Sequence, residues 1–404
     1  MLHPQRTVQA FSYPFFSGQS SLMDITLNIA ITTAYPAVAD RLLSSIKNKL
    51  PTLPINFFIL HIGHNPIETP HSWSEKFTYI AQTKDYLSIL QSRNLCQDFL
   101  KKRGHASSDI AILLDDDLVW TMPELKFRSL VAELKSTQCD MAFSSLHGDP
   151  PIPKEYTRAS PLLDLLISID KQHTPKNKEI QEFINSVSIQ KKHLFKKIEK
   201  HAHHDNYAFN KNNFNPKKIN THKINWVDFI LKLHNGKTTT RPISTPKKIE
   251  QATGLDRGGA TFIFNPVVLT HKNSSIKILN WVSRRSDMMM AIEAEKTGHK
   301  LYLTPPILSH EREESFDSHK TKKLIEDIFG VALISSNGKK EQFIKYFHKR
   351  IAKINFILEQ SNRMLHLLDQ WLRKHNKHNK TTKHTLKTMQ QENRATLHEL
   401  KKNK

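Results

Sequence analysis

Between Asp24 and Ser145 the apolar residues alternate between short continuous runs and helical spacing. Asp24 to Thr33, with β-branched Ile25, Ile29 and Ile31, predicts a first strand, and Ala37 to Asn48 places Leu42, Leu43 and Ile46 on one helical face. Ile55 to Ile62 predicts a second strand and Phe77 to Ala81 a third. Tyr86 to Lys102 predicts a helix through Leu87, Leu90, Leu95 and Leu100. A fully apolar run, Ile110 to Leu114, reads as a buried strand, followed by a short one at Met141 to Ser145. Strand and helix in alternation imply an α/β chain with a mostly parallel, doubly wound sheet flanked by helices.

The rhythm breaks at Asp149-Pro150-Pro151-Ile152-Pro153. From Ala159 to about Thr245 the sequence is rich in Lys, His and Asn, with helical patches at Leu162 to Ile169 and Ile180 to Ile198, and reads as an insertion. Gly258 to Phe264 resumes the sheet pattern, followed by a helix from Met288 to Thr297 and a strand from Lys300 to Thr304. Further on, Ile344, Phe347, Ile351, Ile354, Leu358, Leu365, Leu368 and Leu372 fall on three- and four-residue steps with Ser361 as the gap. That is a coiled-coil-like seam of about four heptads, fit to dock on the main domain, to self-associate or to lie on a membrane surface. These shifts divide the chain into an N-terminal segment (1–23), two halves of one α/β domain (24–150 and 251–335), a basic and partly helical insertion (151–250), and the patterned helix with a basic, flexible tail (336–404).

The net charge of +22 invites a nucleic-acid reading. Its distribution argues otherwise, because Lys171 to Lys223 and Arg373 to Lys404 together carry +16 of it. Basicity thus belongs to the appendages, and their few aromatics, chiefly Phe195, Tyr207, Phe209 and Phe214, do not make a stacking platform for bases. Two cysteines, Cys96 and Cys139, are too few for a disulfide framework and fit a reducing compartment. Met1 to Ser21 has no apolar stretch long enough for a signal peptide, and no window reaches the roughly 20 apolar residues of a membrane span. The expected location is cytoplasmic, or peripheral to a membrane through the C-terminal helix.

The strand at Ile110 ends in Asp115-Asp116-Asp117. Open α/β sheets place ligands at the carboxyl ends of their strands, and neighbouring carboxylates repel, so a cation is expected there. Hard oxygen ligands favour Mg²⁺ or Mn²⁺ shared with substrate phosphates. A solvated acidic turn is the plain alternative. The His201-Ala202-His203-His204 run, set among lysines, reads as a solvated loop.

Five stretches stand in an informative order: Ile29 to Tyr35, Ser92-Arg93-Asn94, Leu113 to Asp117, Gly258-Gly259-Ala260 to Phe264, and Ser286-Asp287-Met288 through Gly298 to Pro305 and Ser309-His310-Glu311-Arg312. Over about Asp24 to Ser145 and Gln251 to Glu314 this order resembles the glycosyltransferases of GT-A fold, particularly the large family 2. The resemblance implies a hexosyltransferase-like enzyme that moves a sugar from a nucleotide-sugar donor, a UDP-sugar by expectation, to a hydroxyl acceptor on a glycan, lipid or protein, with inversion. It implies Asp115 and Asp117 as metal ligands in an Asp-x-Asp motif, completed by His310. Asp287 falls at the catalytic base. Thr33, Tyr35, Arg93, Asn94, Asp116, Arg285 and Arg312 are implied on the donor side. Asp116 is expected to point away from its neighbours in extended backbone, towards the ribose or a basic group. Asp287 also suits the first turn of a helix, where its charge favours the helix dipole.

The pattern departs from the family at Leu60-His61-Ile62-Gly63-His64-Asn65, where an acid is common, though Asp85 is a candidate substitute. It departs again at Tyr35-Pro36, where Asn often follows the aromatic residue, and at Ser286-Asp287, where an acidic pair is usual. A nucleotidyltransferase of related sheet is the rival enzyme class, but Thr32 to Pro36 lacks its Gly-rich signature loop.

Overall fold

The computed structural model describes residues 25–62, 78–83, 87–104, 106, 108–148, 159–173, 177–194, 219–237, 245–256, 260–275, 277–278, 281–311, 320–337 and 339–402. The N-terminal segment, Asp85, Gly258-Gly259, the His201 run and Arg312 lie outside these residues.

Strands β1 (Thr26–Thr33), β2 (Ile55–Ile62), β3 (Thr78–Thr83) and β4 (Asp109–Asp115) form a parallel run, separated by helices α1 (Pro36–Lys49) and α2 (Ile89–Arg103). Then come β5 (Leu118–Trp120), α3 (Glu124–Ser136) and β6 (Met141–Gly148). After the insertion come β7 (Glu250–Gln251), β8 (Ala260–Ile263), β9 (Lys277–Ile278), β10 (Trp281–Val282) and, beyond the next helix, β11 (Leu301–His310). Among the described residues the main sheet has nine strands in the order β3-β2-β1-β4-β8-β6-β11-β5, with β7 on the flank of β11. β8 runs antiparallel to both β4 and β6, so the sheet is mixed and mostly parallel, consistent with a GT-A-like arrangement.

Alternation along the strands sorts the core into two faces. Ile29, Ile31, Ile59, Ile112 and Leu114 pack on one side with Leu42 and Ile46 of α1 and Phe127 and Val131 of α3. Ala30, Phe58, Leu60, Ala111 and Leu113 face the other side, against Cys96 and Leu100 of α2. β11 is longer than the sequence pattern implied because it passes through Pro305 and Pro306. Proline gives no N–H to the ladder, and the register with β6 slips between Thr304 and Leu308 before pairing resumes.

The insertion and the C-terminal segment form one helical body. α4 (Ala159–Gln172), α5 (Lys178–Leu194) and α6 (Trp226–His234) come from the insertion. They share a core with the helices Lys320–Ser336, Lys340–Lys374 and Lys380–Lys402, through Leu162, Leu166, Phe183, Ile230, Leu324, Ile328, Leu358, Leu365, Leu386 and Leu400. With α7 (Ser286–Lys296) between β10 and β11, these last three are α8, α9 and α10. The long C-terminal helix is therefore α9, and its seam turns inward: Ile351, Ile354, Leu358, Leu365, Leu368 and Leu372 are buried.

Two expectations are corrected here. The tail beyond Arg373 is not flexible, since α10 spans 23 residues and buries Leu386, Met389 and Leu400. The gap at Ser361 is not an interruption either, because Asn393 of α10 donates to the Ser361 hydroxyl at 3.2 Å. Among the described residues no helix is long and apolar enough to cross a membrane.

Candidate active site

The carboxyl ends of β1 and β4 carry the acids and their first partners. Asp115 is the last residue of β4 and by alternation leaves the strand on the α2 face, with Ala111 and Leu113. Opposite it, α2 starts at a capping box in which Ser88 accepts from the Gln91 N–H and Gln91 accepts from the Ser88 N–H. That cap starts the helix three residues later than the Tyr86 of the sequence pattern and keeps Ser92-Arg93-Asn94 within its second turn. Arg93 thereby reaches the sheet edge, where its Nη2 donates to Asp115 at 2.8 Å and 3.1 Å. The other end of the same guanidinium lies 3.2 Å from Asp287 Oδ2. One arginine therefore spans the last acid of β4 and the candidate base.

Asp116 and Asp117 lie in the turn between β4 and β5, not in extended backbone. The turn is fixed from outside, because the Glu311 N–H donates to the Asp117 carbonyl at 3.1 Å. Asp116 turns towards β1 and accepts from the Thr33 hydroxyl at 2.7 Å, while that hydroxyl accepts from the Tyr35 N–H at 2.9 Å. Burial pushes the Asp116 carboxyl up to about 6; the Thr33 bond opposes this, and the charges of Asp117 and Asp115 add to it. Tyr35 stands at the N-cap of α1 with 68% of its surface exposed, on the rim of the site.

Asp117 faces His310, whose Nε2 lies 3.0 Å from Oδ2. His310 ends β11 at only 5% exposure, and its Nδ1 is buried with no hydrogen-bond partner. Gly148 lies beside it at φ 90°, where a Cβ would overlap the His310 carbonyl oxygen, so glycine is what lets β6 approach so closely. Asp115, Asp117 and His310 are not gathered into one shell. Asp115 is turned to Arg93, and among the described residues no three His, Cys, Asp or Glu side chains converge enough to hold a metal ion. Asp117 and His310 form a two-group pair at the sheet edge, one carboxylate and one imidazole, a donor set that suits Mn²⁺ better than Mg²⁺.

Asp287 occupies the first turn of α7, and its Oδ1 accepts from the Met288 N–H at 3.0 Å. Arg285, just ahead of it, directs its guanidinium into Asp327 of α8, at 3.0 Å and 3.4 Å, and so points away from the donor side. Asn94 is likewise engaged, accepting from the Asn273 N–H at 2.9 Å and donating to the Asn273 carbonyl at 3.0 Å. Cys96 lies under this face, and burial pushes its thiol up to about 11, so it serves packing and not nucleophilic attack.

Two residues near the site are given no role by the sequence pattern. His61, at the end of β2, is buried with an unpartnered Nδ1, and burial lowers its pKa. Asp327 had a readable signal: a buried acid set amid the apolar Leu324, Ile325, Ile328 and Phe329 of one helix asks for a cation partner.

No protein-family model and no curated protein matches this sequence. Among solved structures, Staphylococcus aureus TarS residues 1–349 is similar at a TM-score of 0.39 and 9% identity, over 94% of this chain and 92% of that one. A longer S. aureus TarS gives 0.38 and 9% over 91% of this chain, which spans only 55% of that one. A Desulfovibrio desulfuricans G20 protein, provisionally described as a nucleotide-diphospho-sugar transferase, gives 0.30 and 7% over 83% and 98%. All three scores lie below 0.5, and the reading of function stands on this chain's own residues.

Proposed function

We propose that this chain is a metal-dependent glycosyltransferase that moves a sugar, with inversion, from a nucleotide-sugar donor, UDP-linked by expectation, to a hydroxyl acceptor. The observation that carries the reading is the Asp115–Arg93–Asp287 bridge, which brings an acid in the first turn of α7 to the carboxyl edge of the parallel strands. A ligand lying across that edge meets a cation, a carboxylate and an exposed aromatic ring at once.

In this reading the acceptor oxygen attacks the anomeric carbon from the side opposite the nucleotide, and Asp287 takes the hydroxyl proton as the new C–O bond forms. The bond between the anomeric carbon and the diphosphate breaks, and the nucleoside diphosphate departs. Asp117 and His310 would hold the divalent ion, which when bound supplies charge compensation to the leaving diphosphate. Thr33 and Asp116 sit on the α1 side of the same edge, where the ribose is accommodated, with Tyr35 beside them. Arg93 orients the base, while the hydroxyl acceptor approaches from the α7 side.

The test is a panel of sugar nucleotides with Mn²⁺, read by thermal shift and by release of free sugar in the absence of acceptor. At least one UDP-sugar should stabilise the protein and hydrolyse slowly, and Asp117→Ala should remove both effects. If no sugar nucleotide shifts the melting temperature, the transferase reading fails. If a nucleoside triphosphate alone does so and is turned over, the chain is a nucleotidyltransferase.

A further inference from the structure

Asp287 owes its position to residues immediately before it, and those are fastened to the helical body. Arg285 adopts φ 71° and ψ 33°, a left-handed conformation that a non-glycine residue seldom holds without an external reason. The reason is visible in α8. Asp327, 6% exposed, takes the Arg285 guanidinium through both carboxylate oxygens at 3.0 Å and 3.4 Å. One residue earlier, the Arg284 N–H donates to the Glu326 carbonyl at 3.1 Å. Gly330 lies one helical turn beyond Asp327, and a Cβ there would collide with the Arg284 carbonyl oxygen, so α8 and this segment are in backbone contact. Arg285 is therefore held by an ion pair, a backbone bond and close packing, and α7 begins at the next residue.

The other side of α8 belongs to the helical core, where Leu324, Ile325 and Ile328 pack among residues of α4, α9 and α10. A continuous set of contacts thus runs from the helical body through Asp327 and Arg285 to the first turn of α7. It continues through Asp287 to Arg93 and Asp115.

We propose that Asp327 is a positioning residue for the transfer reaction: through Arg285 it lets the helical body set where the Asp287 carboxylate stands relative to Arg93. The insertion and the C-terminal helices then contribute to the chemistry without touching substrate. This inference rests on the transferase reading for its kinetic consequence and on the structure alone for its geometric one. A base displaced by about 1 Å loses on the order of a hundredfold in rate, whereas donor affinity in this reading depends on Thr33, Asp116 and Asp117, none of which belongs to the Asp327–Arg285 pair.

The experiment uses the full chain, Mn²⁺ and the UDP-sugar found to be hydrolysed. Asp327→Asn weakens the ion pair at nearly constant shape. Arg285→Gly combined with Asp327→Asn removes the tether without leaving a buried carboxylate unpaired, and glycine accepts the positive φ freely. Both variants should lower kcat by roughly ten- to a hundredfold with donor KM within about threefold of the parent, and Asp327→Glu should recover part of the loss. If both retain the parental kcat at temperatures below their melting points, the pair is structural only and the proposal is overturned. If the parent hydrolyses no sugar nucleotide, the transferase reading has failed separately. The geometric claim is then decided by a crystal structure of Asp327→Asn: an Asp287 carboxylate withdrawn from Arg93 supports it, and an undisturbed 3.2 Å contact refutes it.

Discussion

Arg93 and Asp287 meet at 3.2 Å across the mouth of the sheet, with the guanidinium also holding Asp115 at 2.8 Å. A planar fork suits this task because two carboxylates on different elements are fixed by one rigid group, which a lysine ammonium cannot reproduce. Arg93→Lys should therefore lower kcat for sugar-nucleotide hydrolysis by about a hundredfold and leave donor KM within about threefold. Steady-state kinetics checks this. A raised KM with unchanged kcat would instead make Arg93 a ligand of the diphosphate, as the resemblance to family 2 implies.

Asp116 gives a pH-dependent prediction with a definite sign. Its folded carboxyl is raised from 3.8 to about 6, so between those values the folded state holds a proton that the unfolded chain has released. Stability contributed by this group is present at low pH, declines as pH rises through that window, and stays low above it. Asp116→Asn stays neutral throughout and keeps an acceptor for the Thr33 hydroxyl. In EDTA the variant should match the parent near pH 4 and exceed it by on the order of 1–2 kcal/mol at pH 7.5 in urea denaturation. Stability curves that run parallel across the range would show that Asp116 is ionised in the fold at no cost.

How much of this architecture was readable beforehand differs by element. β1, β2 and β4 were legible because buried parallel strands carry unbroken apolar runs, and Asp115, Asp287 and His310 could be placed from the pattern around them. The turn at Asp116–Asp117 was not, because extended geometry was carried two residues past the point where the chain bends. Arg285 and Asn94 were read as donor-side groups, yet their partners Asp327 and Asn273 are distant in sequence, and nothing local announces such pairs. The α10 helix was missed for a different reason. Its buried stripe, Thr382, Thr385, Leu386, Met389, Asn393, Thr396 and Leu400, is half polar, so a search for hydrophobic period passes over it.

That stripe supports a further prediction. Asn393 is fully buried and donates to Ser361 at 3.2 Å and to Asn362 at 3.1 Å, filling the gap in the α9 seam with a matched polar contact. Asn393→Ala takes the donor from the buried Ser361 hydroxyl and opens a cavity beside it, and should cost about 1–3 kcal/mol. Replacing both partners, as in Asn393→Leu with Ser361→Ala, removes donor and acceptor together and should recover most of that loss. Denaturant melts of the two variants decide it. A double variant no better than Asn393→Ala would mean that the cost lies in packing and not in the hydrogen bond.

A cluster of imidazoles closes the helical body where α4, the turn before α6 and the end of α9 meet. The His173 ring lies 5.5 Å from that of His222 and 5.2 Å from that of His375, and the Trp371 ring lies tilted 4.5 Å from that of His375. Burial lowers the pKa of His173, helped by His375, His222 and Lys377, and burial with Lys374 and Lys377 lowers that of His375. The nearby acid, Asp369, is already shared by His378 and Arg373, each at 2.7 Å. With folded pKa values below the ordinary 6.5, the unfolded chain takes up protons first, so stability is complete above that value and falls as the medium is acidified below it. The loss from each ring should be small, because both retain contact with solvent. His61 and His271 shift in the same direction elsewhere in the chain, so the comparison needs His173→Gln, which should flatten part of the acid-side loss. Protonation of His375 against Trp371 should also quench tryptophan fluorescence over the same range, before any unfolding. An acid limb identical in parent and His173→Gln, with fluorescence flat above the unfolding pH, would remove this cluster from the account of acid sensitivity.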